Sequence, residues 1–347
     1  MALTLKTSEK ISLIGSLSTM LAAGIPIFEV VHSLAEDARG NQKKVLDTLS
    51  DDLAQGKRVY STFAKFPRVF DKVTVNVIRA SEEAGTLDVT LKDLRDNIRR
   101  EAEFADKIRA ALIYPIFILA VFGAVLIMVL FLVVPKVAVV FKSLKIDLPL
   151  PTRILIFLSD QLINNGIIIL AALTTLVIGL VVLFRTKRNL ILGMVYSLPI
   201  ISKLVQQIDL TRFARSLHLL LTSGIPITAA LDLVTDVVIR KDTADVIAKS
   251  KEMVLAGKPL SAGFAASKTK IPTIMIKLIE AGEQTGTLDE SMQEIQEHFD
   301  YEVANSLKTV TALIEPVMLV GVGVVVGGMM MSIIAPIYGL ISQIGGR

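Results

Sequence analysis

The chain contains neither cysteine nor tryptophan, and only 20% of its residues are charged. Without cysteine it can form no disulfide, and it has no thiolate to act as a nucleophile or to bind a metal. Its three histidines, His32, His218 and His298, are not at metal-ligand spacing, which favours ordinary surface or interface roles. We therefore expect no catalytic residue, no metal site and no bound cofactor.

A complete phosphate-binding loop is also missing. The Gly-Lys pairs at 56–57 and 257–258 resemble fragments of one, but Arg58 and Pro259 stand where such a loop needs serine or threonine. We therefore do not expect the chain to hydrolyse nucleotide. Its net charge is only +4 over 347 residues. Acidic and basic side chains are nearly balanced in residues 1–112 and in residues 185–314, here called the first and second polar segments, so nucleic acid is not an expected partner.

Three uncharged runs, at 115–134, 166–184 and 316–334, dominate the hydropathy of the chain. Hydrophobic residues make up 52% of the sequence and the mean hydropathy is +0.61, which is typical of a membrane protein with polar parts. A helix of about 20 residues spans the roughly 30 Å hydrocarbon core, so each run predicts a transmembrane helix. None contains an ionisable side chain, which proton-coupled carriers and intramembrane aspartyl proteases need at membrane depth.

Prolines mark both edges of the first and third runs. Pro115 and Pro316 either begin these helices, where the missing N–H costs little, or kink longer helices that pass through them. Pro135 and Pro336 follow the runs, and we expect the helices to end there.

Two sequence motifs occur twice at nearly the same offset. LAAGIPI at 21–27 returns as LTSGIPI at 221–227, and EEAGTLD at 82–88 returns as EQTGTLD at 283–289. The period of 200 to 201 residues indicates a duplicated domain rather than a solenoid, whose repeats are far shorter. Helical periodicity without convincing strands predicts an all-α membrane protein with two duplicated antiparallel helix-bundle domains and three transmembrane helices.

The domain boundaries follow from the runs and the repeat. They are a first cytoplasmic helical domain at 1–112, transmembrane helix 1 at 113–134, an external loop at 135–165, transmembrane helix 2 at 166–184, a second cytoplasmic helical domain at 185–314, transmembrane helix 3 at 315–335 and an external tail at 336–347. Three spans place both domains on one side of the membrane. Flanking positive charges favour the cytoplasm for the domains and the N-terminus, with the C-terminus external.

The repeated acidic turn is the strongest local motif. In the architectural interpretation it is a helix-helix corner, in which Gly85 and Gly286 adopt positive φ. Leu87 and Leu288 then fill the core, while Glu82 and Glu283 cap or pair with a neighbouring helix. In the functional interpretation the same corner is a docking surface for a cytoplasmic partner, and both interpretations can hold together.

The third run is rich in glycine. Gly323 and Gly327 form a GxxxG pair, and Gly321 and Gly328 fall on another side of the same helix. Small residues let helices approach closely, so we expect this helix to pack on two sides, as near the centre of an assembly. The alternative is that these glycines reflect only the frequency of glycine in membrane helices.

These motifs resemble those of the inner-membrane platform protein family of type IV pilus and type II secretion machines. The likeness rests on the two GIPI corners, the two acidic turns and the Tyr114-Pro115, Glu315-Pro316 and 335–337 (API) segments, which occur in the right order over almost the whole chain. Ser81 departs from the pattern, because the second copy and many relatives have glycine there.

The resemblance implies a non-catalytic platform in the inner membrane. Its partners would be a cytoplasmic assembly or retraction ATPase, pilin or pseudopilin subunits and other inner-membrane components of the machine, and it would form a homodimer or small oligomer. Two other classes stay open at this point: a membrane channel or carrier, suggested by the spans and the glycine-rich helix, and a membrane enzyme such as a prepilin peptidase, disfavoured by spans without aspartate.

Overall fold

The computed structural model describes residues 3–143, 150–165, 179, 199–267 and 271–344. Throughout these ranges the regular structure is helical and no strand occurs, which confirms the prediction of an all-α chain for the part described.

Helices of the first polar segment have close counterparts in the second. The first contains α1 (Thr7–Ala22), α2 (Ile27–Asp37), α3 (Gly40–Ala54), α4 (Val59–Phe63) and α5 (Lys72–Ala84), followed by α6 (Leu87–Met128), a π-helical turn (Val129–Val133), α7 (Val134–Ser143) and α8 (Leu150–Asn164). The second contains α9 (Pro199–Thr222), α10 (Ile227–Thr235), α11 (Lys241–Leu255), α12 (Leu260–Ala265) and α13 (Thr273–Thr285), followed by α14 (Leu288–Ile344).

Two compact units divide the chain. The first, here called the helical unit, consists of Met1–Lys107 and Ser202–Asn305, and the second, here called the apolar unit, consists of Ile108–Ile201 and Ser306–Arg347. Both polar segments thus contribute to the same helical unit.

One hydrophobic core runs through the helical unit and takes side chains from both segments. Phe63 stacks on Phe70 with ring centroids 4.0 Å apart, and Phe213 meets Phe264 edge to face at 5.4 Å. Full burial of an aromatic or aliphatic side chain contributes about 1.5–3 kcal/mol, so these residues dominate the packing. An ion pair of 2.6 Å between Lys72 and Asp236 also joins the segments, but both side chains are well exposed and the pair stabilises little.

The prolines of the apolar runs do not end their helices. Pro115 lies inside α6, and α14 runs through both Pro316 and Pro336 to Ile344. Pro135 is the second residue of α7, directly after the π-helical turn Val129–Val133. The expectation that helices stop at Pro135 and Pro336 is therefore wrong. A π-helical turn widens the backbone where the proline ring would otherwise clash with the preceding turn.

Two stretches are long and apolar enough to cross a membrane, namely Leu87–Val139 and Leu288–Ser332. Their most apolar parts are almost entirely unburied by the rest of the chain, unlike the core helix of a soluble protein. Ile116, Phe117, Val317 and Leu319, for example, are each more than half exposed. The second predicted span, at 166–184, lies outside the described residues apart from Gly179.

The segment predicted as an external loop, 135–165, contains most of α7 and all of α8. These helices pack against the π-helical turn around a small core of Leu130, Val134, Ala138 and Ile156. Outside this core, α8 exposes Leu150 and Phe157. The side of the membrane on which it lies stays a prediction.

Candidate functional site

The two acidic turns form helix-helix corners with the same backbone geometry. Gly85 ends α5 at φ 74°, and Gly286 ends α13 at φ 77°. This left-handed conformation suits glycine, which has no Cβ to clash with the backbone. The next amide closes each corner: Thr86 donates to the Ser81 carbonyl at 2.9 Å and Thr287 to the Gly282 carbonyl at 2.9 Å. We call these the first and second corners.

Glu82 of the first corner caps a short helix with both carboxylate oxygens. It accepts hydrogen bonds from the amides of Val59 at 2.9 Å and Tyr60 at 3.2 Å, which are the first two residues of α4. A carboxylate is favoured there because the first amides of a helix have no partner within it and carry partial positive charge. A helix of only five residues is marginal on its own, so Glu82 positions α4.

Glu283 makes the same arrangement in the second corner. It accepts from the amides of Leu260 and Ser261, the latter at 3.0 Å, at the start of α12. Each glutamate is therefore engaged with the helix 22 to 23 residues before it. Capping or pairing by these glutamates was predictable from the sequence, but their amide partners were not.

The residues that follow each glycine are held from the core side. Leu87 and Leu288 are half-buried and pack against the main core. The carbonyl of Asp88 accepts from the Ser18 hydroxyl at 3.3 Å, and the carbonyl of Asp289 contacts the Nδ1 of His218 at 2.8 Å. The side chain at the same position of α1 and α9 thus fixes the first turn of α6 and α14.

The outward faces of the two corners differ in charge. In the first, Glu83 lies 3.8 Å from Arg58, and both side chains are more than half exposed. Gln284 and Pro259 occupy the matching positions of the second corner. A partner that binds this surface through charged groups would therefore contact Glu83 and Arg58 of the first corner. Glu82 is less available, because it already accepts hydrogen bonds from two amides.

Asp52 forms a charged cluster that has no equivalent in the second segment, where Met253 stands at the matching position. Its nearly buried carboxylate accepts from the ammonium groups of Lys57, at 2.8 Å, and Lys65, and from the Thr62 hydroxyl at 2.8 Å. These hydrogen bonds, that of Lys57 first, hold the pKa of Asp52 well below its usual range.

Two buried charges lie on α9 and were not anticipated from the sequence. Asp209 accepts from the amides of Ile239 at 2.7 Å and Arg240 at 2.8 Å, and burial raises its pKa against the effect of these bonds. Arg215 pairs with Asp300 at 3.1 Å, and burial lowers its pKa while Asp300 opposes that shift. Arg215 shares a helix face with the apolar and buried Ile208 and Leu219, seven residues before it and four after it, and that pattern is the signal that could have identified it.

The glycines of α14 lie open in the described structure. Gly321, Gly323, Gly327 and Gly328 are exposed, and apart from the adjacent residues and nearby backbone of α14 itself, a Cβ added at any of them would meet no described atom within 4 Å. Helix packing through them therefore requires another partner and stays a prediction. Among the described residues no group of three or more histidine or acidic side chains could hold a metal ion.

Comparison with known proteins places this architecture in a family. The profile of type II secretion system (T2SS) protein F matches the chain twice, at residues 13–135 and at 213–336. The chain belongs to the T2SS protein F family. Each match begins within the first helix of a polar segment and ends near Pro135 or Pro336, so it includes one corner and the apolar helix that follows it.

Members of the protein F family with similar sequences come from both pilus and secretion systems. The type 4 fimbrial assembly protein PilC of Pseudomonas putida is 30% identical over 94% of this chain and 82% of its own length. The type IV pilus assembly protein PilC of Thermus thermophilus is 28% identical, over 94% and 81%. The type II secretion system protein F of Pseudomonas aeruginosa is 28% identical, over 95% and 82%. The resemblance stated from the motifs is confirmed, and the relatives are assembly and secretion components, not enzymes.

Proposed function

We propose that the chain is the inner-membrane platform of a type IV pilus or type II secretion machine. The double match of the protein F profile carries the proposal, since each match joins a helical segment to an apolar helix. The platform couples a cytoplasmic assembly or retraction ATPase to the insertion or removal of pilin or pseudopilin subunits. It works with other inner-membrane components of the machine, as a homodimer or small oligomer.

In this proposal the two polar segments are copies of one unit. Three features support it: α2 to α5 and α10 to α13 start at offsets of 200 to 201 residues, both corners have left-handed glycines, and both have a glutamate cap. The apolar run at 166–184 is the second of three spans, and it returns the chain to the side of the first segment. Both copies then lie in the cytoplasm, with α8 and the C-terminus on the external side.

The coupling is mechanical. Side chains of both copies share one core, so force applied by a motor to one copy is borne by both. The chain passes from the helical unit to the apolar unit through α6 and α14, which are continuous helices at those points. A helix transmits displacement along its axis better than a flexible linker does, because its backbone hydrogen bonds resist bending.

Deletion of the gene tests the platform function. We expect loss of fibres or of secretion, with normal amounts of pilin or pseudopilin, and recovery when the wild-type gene is supplied. Normal assembly in the deletion strain would refute the proposal. Solute flux through the purified chain in liposomes would favour a channel or carrier instead.

Single-cysteine labelling tests the topology, because the natural chain has no cysteine to remove. Lys44→Cys and Asp245→Cys place thiols at matching exposed positions of α3 and α11, while Leu150→Cys marks α8. In spheroplasts an impermeant maleimide should label only the α8 position, and all three should react after lysis. Labelling of the Lys44 and Asp245 positions from opposite sides would contradict the shared orientation.

A further inference from the structure

A cavity of about 50 Å³ lies inside the helical unit and is lined by both polar segments. The charged and polar part of its lining consists of Lys10 from α1, Asp71 and Thr74 near the start of α5, Asn97 and Glu101 from α6, and Arg212, Arg215 and Ser216 from α9. Neither corner contributes to it, so it is separate from the candidate docking surface described above.

Arg215 brings unused hydrogen-bond donors to this cavity. Its side chain is only 4% exposed, and its Nη2 donates to both carboxylate oxygens of Asp300, at 3.1 and 3.2 Å. Its buried Nε and Nη1 have no acceptor in the described part of the chain, and neither does the buried Nε of Arg212. An unsatisfied N–H of a buried cation is costly, which makes these donors evidence for an acceptor in the cavity.

The unpaired N–H donors at the cavity favour an anion over a cation. Two carboxylates line it, but Asp71 already caps α5 by accepting from the amide of Thr74 at 2.7 Å, and Glu101 interacts with the Arg215 guanidinium. The ammonium of Lys10 and the guanidinium of Arg212 add positive charge, while Asp300 balances that of Arg215. Guanidinium groups present paired N–H donors in the geometry that phosphate oxygens accept.

We propose that this cavity binds one small tetrahedral oxyanion, either inorganic phosphate or the phosphate end of a small ester. A buried water needs about 10–15 Å³ in a volume of this kind, so the cavity holds a group the size of a few waters and excludes a whole nucleotide. The anion accepts from a free guanidinium N–H of Arg215 and from the Nε of Arg212. Because α1, α6 and α9 all line the cavity, its binding stabilises the packing of the first segment on the second.

Thermal unfolding of the full chain in detergent tests the proposal. Inorganic phosphate is titrated against chloride at constant ionic strength, and circular dichroism follows the helical signal. At ten times its Kd, phosphate should raise Tm by about 3–6 °C. A parallel titration with glycerol phosphate distinguishes the two sources, since a free-ion site responds to phosphate alone and an ester site responds to both. Equal Tm values in phosphate, glycerol phosphate and chloride would overturn the proposal.

Arg212→Gln is the informative variant, because Arg215→Gln also breaks the ion pair with Asp300 and disturbs folding. Equilibrium dialysis with radiolabelled phosphate should show binding weakened about tenfold or more in Arg212→Gln. Arg79→Gln, an exposed change on α5 outside the cavity, should bind as the wild type does. Equal phosphate binding by the Arg212 and Arg79 variants would contradict the assignment, and a negative result here leaves the platform function unaffected.

Discussion

The hydroxyl of Thr152 on α8 donates a buried 2.6 Å hydrogen bond to the backbone carbonyl of Ser332 on α14. That carbonyl lies four residues before Pro336, whose nitrogen has no hydrogen to donate to it. Thr152 thus supplies the donor that the proline removes. The hydrogen bond is buried, so water does not satisfy this carbonyl and the replacement is needed.

Ser159, two turns further along α8, does the same for the other helix. Its buried hydroxyl donates to the carbonyl of Leu130 at 2.6 Å. In the π-helical turn the amide of Val134 bonds the carbonyl of Val129, so the carbonyl of Leu130 is the one that an N–H at position 135 would serve. Position 135 is proline. One helix therefore satisfies the carbonyls left open by Pro135 and Pro336.

Thr152→Val should destabilise the apolar unit, because it keeps the side-chain shape and leaves the Ser332 carbonyl without a donor. We expect a loss of about 1 kcal/mol, measured by chemical unfolding in detergent. In a Pro336→Ala background the restored N–H serves the carbonyl, and the same substitution should cost much less. A loss of equal size in both backgrounds would show that the hydrogen bond does not compensate for the proline.

The sequence alone could not predict that the helices continue through Pro135 and Pro336. Whether a helix continues through proline depends on a donor elsewhere in the chain, and the donors lie 29 and 180 residues away from the carbonyls they serve. The left-handed corners at Gly85 and Gly286 were predictable, because their geometry is decided by adjacent residues. The same difference explains why the amide partners of Glu82 and the cavity at Arg215 were not: both arise from tertiary contacts.

Glu283→Ala should destabilise the helical unit by about 1–2 kcal/mol, because two amides at the start of α12 lose their acceptor. Glu82→Ala should have a similar effect through α4. Glu83→Ala is the matched control beside Glu82, and its exposed ion pair predicts a change within about 0.5 kcal/mol. Thermal unfolding followed by circular dichroism measures all three.

Measuring stability together with binding to the motor ATPase distinguishes an architectural role of the corners from a docking role. If Glu283→Lys kept wild-type stability yet lost binding to the motor ATPase, the carboxylate would be a docking residue and the capping role would be wrong. If Glu83→Lys lost motor binding while remaining stable, the exposed face of the first corner would be the contact surface.

Gly282 should resist substitution more strongly than its counterpart Ser81. A Cβ at Gly282 would lie 2.3 Å from the Ser291 hydroxyl oxygen and 3.0 Å from the Leu288 Cα, so α13 and α14 would have to separate. We expect Gly282→Ser to cost about 1–3 kcal/mol. The reverse change, Ser81→Gly, relieves no clash and costs only about 0.5–1 kcal/mol in helix propensity. Unfolding midpoints that rank the two variants in the opposite order would contradict the close approach at the second corner.

Asp52 should contribute to the acid sensitivity of the fold. Its pKa in the folded chain lies below the unfolded value of about 3.9, so the carboxylate stabilises the fold above about pH 4. That stabilisation is lost as pH falls through the folded pKa. Asp52→Asn should therefore lower Tm at pH 7 and make Tm less dependent on pH below about 4. Asp47→Asn, which removes an exposed ion pair from the same helix, should follow the wild-type profile.

Bulky residues at Gly323 and Gly327 should dissociate the proposed oligomer without unfolding the chain. Apart from the adjacent residues and nearby backbone of α14 itself, no described atom lies within 4 Å of an added Cβ at either position. Gly323→Leu with Gly327→Leu should therefore leave the Tm of the detergent-solubilised protein unchanged. If two copies pack through this GxxxG pair, leucine separates the backbones and removes their close contact. Val325→Leu adds the same side chain on the side of α14 opposite Gly323 and Gly327 and is the control.

Disulfide crosslinking measures the association directly, since the chain supplies no competing thiol. Met330→Cys lies one turn beyond Gly327 on the same side of α14 and is exposed. Oxidation of membranes should give a crosslinked dimer in the wild-type and Val325→Leu backgrounds and much less in the double leucine variant. Equal crosslinking in all three would move the interface away from the Gly323 and Gly327 row, and leave glycine there as a composition effect of membrane helices.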